Sequence, residues 1–287
     1  MQLFSVEGNY QNIDAGAMFG NVPRALWKKW VKPDEASLIR LSCRGLLIKD
    51  LGGKNVLFET GTGAFFEPKL RVRFGIEGDR NRIIDSLEEH GLSENDIDAV
   101  VLSHLHFDHA GGLLSDWQEG LEMSLRFPHA TYIVGELAWE RACNPHPRDR
   151  ASFIPELQPL LEDSGRLELV AGDTAVALGD SVRFWYSDGH TPGLMIAIVG
   201  GDGGVAFCSD LMPGRVWVHL PVTMGFDRYP EKLIDEKEQF LRELIDRNIR
   251  LFFTHDPEVS LATPVQDERG LYGTANEQAC ITGLELG

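Results

Sequence analysis

The sequence predicts a mixed α/β fold in which β-sheets form the middle of the molecule and helices cover the outside. Short apolar stretches rich in β-branched residues alternate along the 287 residues with longer stretches of helical periodicity. No internal repeat and no linker rich in Pro, Gly or Ser divides the chain. We therefore expect a single domain over residues 1–287, with residues 1–37 as an N-terminal capping segment.

Ten stretches are predicted to form strands, because they are short, apolar and bounded by residues that favour turns. They cover residues 38–41, 46–49, 55–59, 99–103, 131–134, 167–170, 182–186, 195–199, 205–208 and 251–254. The almost continuous apolar character of several of them is typical of strands that are buried on both faces.

Four helices are predicted, over residues 80–90, 136–142, 155–162 and 230–248. In the first, Ile83, Ile84 and Leu87 form one apolar stripe and Gly91 ends the pattern. Two further segments look peripheral: residues 15–33 carry bulky apolar side chains, and residues 143–155 are rich in Pro and Arg. Each of these segments is expected either to form a lid or pocket wall or to pack on the surface.

The charge balance narrows the classes of partner. With 27 basic and 44 acidic residues, the net charge of -17 opposes binding to nucleic acids and to anionic membranes, which attract Lys and Arg. No apolar stretch approaches the roughly 20 residues that span a bilayer. The four cysteines are scattered, and the first residues do not resemble an export signal. We expect a cytoplasmic protein with reduced thiols and a small neutral substrate.

The segment 103–112 carries the chemistry. It reads Ser-His-Leu-His-Phe-Asp-His-Ala-Gly-Gly and follows a predicted buried strand. In extended backbone, His104 and His106 point to the same side and can bind one metal ion, while Asp108 and His109 can turn towards a second. This arrangement does not require a helix. Two glycines at 111–112 are expected to let the backbone bend into the following segment.

Three downstream residues lie at or near predicted strand ends, where they could complete two metal coordination shells. His190 follows the strand predicted over 182–186, Asp210 follows that over 205–208, and His255 follows that over 251–254. Each could instead be an ordinary turn or capping residue. Together with the cluster at 104–109, they supply the ligands that one short motif lacks.

These seven residues make the sequence resemble the metallo-β-lactamase superfamily, whose signature is His-x-His-x-Asp-His followed by a later His, Asp and His. The resemblance covers about residues 38–256 and implies an αββα sandwich, in which helices flank two facing mixed sheets and the metals lie along one edge. The ligands that it implies are His104, His106 and His190 for one ion, Asp108, His109 and His255 for the other, and Asp210 bridging both.

The implied cofactor is a pair of divalent metal ions. Histidine and carboxylate ligands suit zinc, although iron, manganese and cobalt fit the same kind of cage. Two ions about 3.5–4 Å apart can activate a shared water for attack on a carbonyl carbon. Asp108, which can orient this water or move its proton, and the bridging Asp210 are therefore the expected catalytic residues.

Within the superfamily, segment 103–112 is most similar to the N-acyl-homoserine lactonases and related lactone or ester hydrolases, and residues 14–20 add to this similarity. Two departures are visible. Glu59 stands where the family commonly has Asp, and we expect it to orient a metal-bound imidazole. The tyrosine that lactonases carry shortly after the bridging Asp is absent. Further candidates for substrate contact are His219, Asp227 and Tyr229.

Three alternatives remain open. A thioester hydrolase resembling glyoxalase II would use the same ligands, although the tail from residue 258 offers only Arg269 to bind an anionic group. A phosphodiesterase or nuclease is disfavoured by the acidic charge balance. A catalytically silent ligand-binding protein would be expected to have lost some of the metal ligands.

Overall fold

Residues 1–286 are described by a computed structural model of the chain. A seven-stranded sheet forms one half of its core. With strands numbered along the chain, its spatial order is β15 (Thr282–Glu285), β1 (Gln2–Val6), β4 (Gly45–Leu51), β5 (Lys54–Phe58), β6 (Ala99–Leu102), β7 (Thr131–Gly135) and β8 (Leu167–Val170). Strands β5 to β8 are mutually parallel, whereas β4 is antiparallel to both β1 and β5.

The other half of the core is a six-stranded sheet. Its order is β14 (Tyr272–Gln278), β13 (Leu261–Gln266), β12 (Arg250–Phe252), β11 (Val205–Phe207), β10 (Leu194–Val199) and β9 (Val182–Ser187). Only the β11–β12 pair is parallel. A separate hairpin pairs β2 (Gln11–Asp14) with β3 (Leu38–Leu41).

Eight α-helices accompany the strands in residues 1–286. They are α1 (Ala15–Phe19), α2 (Arg24–Trp27), α3 (Pro68–Arg73), α4 (Arg82–Glu89), α5 (Phe107–Ala110), α6 (Glu136–Cys143), α7 (Leu157–Asp163) and α8 (Pro230–Asp246). Helix α4 begins after Asn81, whose side chain accepts a hydrogen bond from the amide of Ile83. The helix ends at Glu89, and His90 is its C-terminal cap.

Three apolar layers hold the architecture together. Between the sheets, side chains such as Phe58, Val101 and Phe207 form one buried cluster. The outer face of the seven-stranded sheet packs against α4, α6 and α7, and that of the six-stranded sheet packs against α8. This is the four-layer αββα sandwich that the sequence resemblance implied, and it follows from each sheet burying two apolar faces.

All ten predicted strands and four predicted helices are present, with small differences at their ends. Five strands were missed: β1, β2, β13, β14 and β15. Most of β14 and β15 is exposed or half-buried, so these edge strands lack the apolar run from which the others were recognised. Strand β1 lies inside the seven-stranded sheet, so this part of the expected capping segment belongs to the core.

The rest of the N-terminal segment covers one end of the sandwich. Phe19 stacks between Trp27 and Trp217, with ring centroids 5.7 and 4.9 Å away. The indole of Trp217 donates to the carbonyl of Met18 over 3.0 Å. The bulky side chains of α1 and α2 therefore pack against the chain that leads into α8.

Within residues 1–286, no helix combines the length and the apolarity that crossing a membrane requires. The four cysteines are all free.

Lys237, on the buried face of α8, fixes the loop before that helix. Its fully buried ammonium group donates to the carbonyls of Trp217, Val222 and His219 over 2.8, 2.8 and 3.3 Å. The buried face of α8 thus includes Lys237 among its apolar side chains, because three buried carbonyl groups need a hydrogen-bond donor.

We expect Lys237→Met to lower the free energy of unfolding by about 3 kcal/mol, because it leaves these buried carbonyls without a donor. The matched control is Lys232→Met on the same helix. Lys232 is half exposed and pairs with Asp188, so its loss should cost less than about 1 kcal/mol. Urea denaturation in chelator-free buffer measures both, and equal losses would contradict this role of Lys237.

Candidate metal centre

The candidate ligands lie where strands of the two sheets end on one edge of the sandwich. His104 and His106 follow β6, and His190 lies in the turn between β9 and β10. Asp210 and His255 follow the parallel strands β11 and β12. Residues far apart in sequence therefore meet at one edge, because neighbouring parallel strands finish side by side.

The segment 103–112 changes conformation in its middle. His106 is extended, with φ -65° and ψ 150°, but Phe107 begins the one-turn helix α5, which carries Asp108 and His109. This helix was not expected. The sequence suggests that the two glycines let the backbone bend, but the structure shows a steric reason for them. A Cβ atom on Gly112 would lie 2.0 Å from the carbonyl oxygen of Thr60. They allow close packing against the turn after β5.

Six of the seven candidate ligands are buried, and Asp108 is partly exposed. Two sets of these residues have their ligand atoms within 4.8 Å of one another, and Glu59 forms a third such set with His104 and His109. The first set contains His104, His106, His190 and Asp210, and the second contains Asp108, His109 and His255.

Asp210 lies between the two sets. Its Oδ2 is 3.1 Å from Nε2 of His190 and 3.3 Å from Nε2 of His109, and its Oδ1 is 3.2 Å from Nε2 of His255. The Oδ1 atom is buried and makes no hydrogen bond of acceptable geometry. One carboxylate therefore contacts imidazoles of both sets.

Four of the five imidazoles make a contact through the ring nitrogen that faces away from the centre of the cluster. His109 Nδ1 lies 2.7 Å from Glu59, His190 Nδ1 lies 2.9 Å from Asp227, and His255 Nδ1 lies 2.6 Å from the carbonyl of Ser42. The hydroxyl of Ser103 is 2.9 Å from His104 Nδ1. Such outer hydrogen bonds fix the tautomer of a ligand histidine and leave its other nitrogen lone pair free.

The inner nitrogens face one another. Nε2 of His109 and of His255 are 3.2 Å apart, and Nε2 of His104 is 2.9 Å from Nδ1 of His106. Two nitrogen lone pairs at this separation repel unless a proton or a cation lies between them. Ligand atoms about 2.0–2.1 Å from a tetrahedral zinc ion are about 3.4 Å apart. The spacing and donor types of these residues fit metal ions.

The cluster divides into two kinds of ligand. Burial lowers the pKa of His109, His190 and His255, but nearby carboxylates, among them Asp210 in each case, outweigh it and raise these pKa values, so a metal ion would have to displace their protons. The other buried ligands are already in forms that bind cations. Burial lowers the pKa of His104 well below its usual value and that of His106 to about 3, so both are neutral. Burial alone would raise the pKa of Asp210, but the nearby His109, His190 and His255 hold it well below the usual range. Asp210 is therefore ionised.

Glu59, the departure from the family pattern, is fully buried behind the cluster. Besides His109, its carboxylate contacts the hydroxyls of Ser103 and Ser209, the latter over 2.9 Å. Thr254 Oγ1 lies 3.5 Å away. Glu59 has a left-handed backbone conformation, with φ 59°, a strained arrangement that directs its side chain into these contacts.

The other candidates for substrate contact lie elsewhere. Asp227 contacts His190 rather than open space. His219 lines a surface groove beside Trp30 and Tyr272, away from the cluster. Its backbone carbonyl accepts a hydrogen bond from Lys237 of α8, which holds it there. Tyr229 is half exposed at the start of α8. Neither His219 nor Tyr229 lines the cavity in front of the cluster.

That cavity has a volume of about 330 Å³. Five candidate ligands form its floor: His106, Asp108, His190, Asp210 and His255. Its walls come from the β2–β3 hairpin and α1, from segment 148–152 and from segment 224–226. The isolated β-bridge between His106 and Phe153 holds segment 148–152 beside the floor. Segment 15–33 thus contributes one wall residue, Met18, and segment 143–155 contributes three.

Sequence reasoning missed several residues of this site. Gln11, Asp149 and Met224 line the cavity, and Asp227 holds His190. Only Asp149 fell within a segment singled out as a possible wall, and Asp227 had been considered as a substrate contact. Gln11 and Met224 stand in no motif, and their positions depend on how distant segments pack.

Comparison with known proteins gives concordant results. The sequence profile of the metallo-beta-lactamase superfamily matches residues 40–255. The N-acyl homoserine lactonase AiiA of Bacillus thuringiensis subsp. kurstaki is 28% identical over 131 residues, which are 46% of this chain and 43% of that enzyme. A ribonuclease of Thermus thermophilus is 28% identical over 152 residues, 53% of this chain and 31% of that protein. The matched regions thus span less than half of these relatives.

Solved structures share the fold over nearly the whole chain. A "probable metal-dependent hydrolase" from Staphylococcus aureus superimposes with a TM-score of 0.83 and 26% identity, covering 96% of both chains. The dizinc quorum-quenching lactonase AidC superimposes with a TM-score of 0.75 and 23% identity, covering 96% of this chain and 94% of that one. Because the profile match extends over most of the 287 residues and includes the whole histidine–aspartate cluster, this chain belongs to the metallo-beta-lactamase superfamily.

Proposed function

We propose that this protein is a dinuclear metal-dependent hydrolase that opens a small neutral lactone or ester carrying an apolar chain, such as an N-acyl-homoserine lactone. The observation that carries the proposal is the cavity of about 330 Å³, whose floor is the histidine–aspartate cluster and whose walls combine apolar side chains with a few polar ones. Cavities of this size and character typically bind small molecules with a few polar groups.

In this proposal the two sets of ligands each hold one divalent ion, with Asp210 shared between them. Zinc suits the five imidazoles and two carboxylates best, in agreement with the dizinc centre of the structural neighbour AidC. Such ions lower the pKa of bound water and polarise a carbonyl oxygen. The side chains of the protein are then left to move the proton and to bind the rest of the substrate.

Asp108 is the side chain that we expect to move the proton. It lines the cavity and, with a fifth of its side chain exposed, it is the candidate ligand most open to the substrate. Attack by water forms a new C–O bond, and the ring C–O bond then breaks. Asp108 takes the proton of the attacking water and returns it to the departing alkoxide.

The walls favour a chain of aliphatic character. The apolar side chains of Ile13, Met18, Leu41, Met224 and Phe226 all line this cavity. Methionine side chains adapt to ligands of varied shape, and burial of each CH₂ group contributes about 0.8 kcal/mol. A substrate with an acyl chain thus gains affinity from the walls, while its carbonyl group lies against the floor.

A nucleic-acid substrate fits this site less well, despite the partial match to a ribonuclease. Arg148 is the one cation among the side chains that line the cavity in residues 1–286, and the net charge of the chain is -17. A phosphodiester backbone requires several cations along its path. A thioester hydrolase with the same ligands remains the alternative that the substrate experiment below addresses.

The ligand assignment predicts that His106→Ala and Asp210→Ala will each lose metal. Loss of His106 removes a donor from one set, and loss of Asp210 removes a donor common to both, so Asp210→Ala should cost more metal. Metal content per chain is measured by mass spectrometry after dialysis. The exposed His129 provides the control, and His129→Ala should retain the wild-type content. Wild-type content in either cluster variant would contradict the assignment.

Glu59→Gln should weaken metal binding by about tenfold to a hundredfold while the chain remains folded. The substitution replaces one acceptor oxygen by an NH₂ donor, although His109, Ser103 and Ser209 all contact the carboxylate. The measurement is competition against a chromophoric chelator. Glu94→Gln, at a half-exposed ion pair with Arg126, is the matched control. Equal affinities in the two variants would refute the role of Glu59.

The proposed reaction predicts a clear order of substrates. Zinc-loaded protein should hydrolyse N-acyl lactones and aryl esters, and kcat/KM should rise as the acyl chain lengthens from butanoyl to octanoyl. Thioesters and a bis-aryl phosphodiester should react more slowly. Preferred turnover of the thioester would favour the glyoxalase II-like alternative. Lack of turnover of every class by fully loaded protein would support a catalytically silent binding protein.

A further inference from the structure

Segment 224–226 borders two cavities. Met224 and Gly225 line the cavity in front of the histidine–aspartate cluster, and they also line a second cavity beside α1. Arg148 lines both cavities as well. Packing therefore constrains this segment less than it constrains a core strand, and hydrogen bonds contribute more to the positions of Met224 and Phe226 in the wall.

Hydrogen bonds to three other parts of the chain hold the backbone of this segment. The amide of Met224 donates to Oδ2 of Asp227 over 2.6 Å. The amide of Gly225 donates to the carbonyl of Ala17 over 2.8 Å, and Nη2 of Arg148 donates to the carbonyl of Gly225 over 2.8 Å. Among these partners Asp227 is a buried side chain, with 2% of its surface exposed.

The other carboxylate oxygen of Asp227 contacts a candidate metal ligand. Its Oδ1 lies 2.9 Å from Nδ1 of His190. A histidine that binds a metal ion through Nε2 carries its proton on Nδ1, so metal-bound His190 donates to Asp227. The amides of Arg228 and Tyr229 donate to the carbonyls of His190 and Gly189 over 3.2 and 2.8 Å. The turn that carries His190 is thus joined to the segment that carries Asp227.

Both neighbours of this carboxylate are hydrogen-bond donors. The backbone N–H of Met224 can only donate, and an ion on Nε2 of His190 fixes the proton on Nδ1. Aspartate offers an acceptor oxygen to each donor. Asparagine would offer one acceptor and would place its NH₂ group against the other donor. Two simultaneous contacts therefore require a carboxylate at position 227.

We propose that Asp227 is a positioning residue that orients the metal ligand His190 with one oxygen and the substrate-binding wall at Met224 with the other. The inference rests on the proposed hydrolysis of a lactone or ester with an apolar chain. It identifies one residue on which metal affinity and chain-length preference both depend. Glu59, which contacts the cluster, and Arg148, which contacts the wall, each affect one of the two properties.

The test measures zinc affinity and chain recognition in the same variants. Zinc affinity is obtained by competition against a chromophoric chelator. Chain recognition is the ratio of the dissociation constants of N-butanoyl-homoserine and N-octanoyl-homoserine, measured by calorimetry on the zinc-saturated, full-length protein. Each fully buried CH₂ group strengthens binding by up to about fourfold, so we expect wild type to bind the octanoyl ligand at least about tenfold more tightly.

Asp227→Ala removes both acceptors. It should lower the affinity for one of the two zinc ions by about tenfold to a hundredfold, and it should reduce the chain ratio to about threefold or less. Asp227→Asn keeps the size of the side chain and one acceptor, so it should impair at least one of the two properties. Wild-type values of both in Asp227→Asn, or a change of only one in Asp227→Ala, would overturn the inference.

Two comparison variants distinguish this role from general damage, which would weaken both ligands alike and leave their ratio unchanged. Glu59→Gln should weaken zinc binding and keep the chain ratio at saturating zinc, because Glu59 bonds to His109 and to hydroxyls beside the cluster. Arg148→Ala should keep the zinc affinity, because it releases the carbonyl of Gly225. The inference is wrong if Glu59→Gln lowers the chain ratio, or if Arg148→Ala lowers zinc affinity, as much as Asp227→Ala does.

Hydrolysis of the corresponding lactones separates this inference from the function on which it rests. If wild type binds zinc and prefers the octanoyl ligand but hydrolyses neither lactone, the proposed hydrolase is contradicted and the role of Asp227 stands. If wild type hydrolyses both lactones but binds the two ring-opened ligands equally, the role of Asp227 in chain recognition is contradicted and the hydrolase stands.

Discussion

The arrangement of the candidate metal ligands depends on the contacts of one buried carboxylate, that of Glu59. Its contacts reach His109 directly and also Ser103, Ser209 and Thr254, each of which immediately precedes a candidate ligand. One carboxylate thus connects α5 with the segments that follow β6, β11 and β12. Because both sheets contribute, the cluster exists only when the sandwich has closed. The charge of Glu59 is tolerated because donors surround it on all sides.

This arrangement orients the imidazoles. Where the outer nitrogen lies against a fixed acceptor, the inner nitrogen faces the centre and can exchange its proton for a metal ion, as in His109, His190 and His255. As a consequence, lone pairs of several ring nitrogens lie close together away from water. Their repulsion is relieved only by a positive charge between them, either a proton or a metal ion. Rigid pre-orientation of this kind improves cation binding, because little reorganisation accompanies it.

The sequence predicts the parts of this structure that depend on local pattern. Buried strands such as β6 are continuous apolar runs, and the cluster at 104–109 is dense enough to indicate metal binding before any fold is known. Strands β14 and β15 carry no such run, because they lie at sheet edges and pair through their backbones. The residues of the cavity wall are harder to predict, since the position of Gln11 depends on its contacts with Phe74 and Ile76, which are distant in the sequence.

The metal cage and the cavity wall come from different parts of the chain. The cage is built from turns that directly follow core strands, where small displacements would disturb both sheets. The wall is built from the β2–β3 hairpin, α1 and two loops, which contact one another at the surface, as when Arg148 donates to the carbonyl of Gly225 over 2.8 Å. Since loop contacts tolerate change better than core packing does, substrate preference can vary while the cage is kept. The ligands therefore identify the type of chemistry, and a preference for one molecule over another is expected to arise in the side chains of the wall.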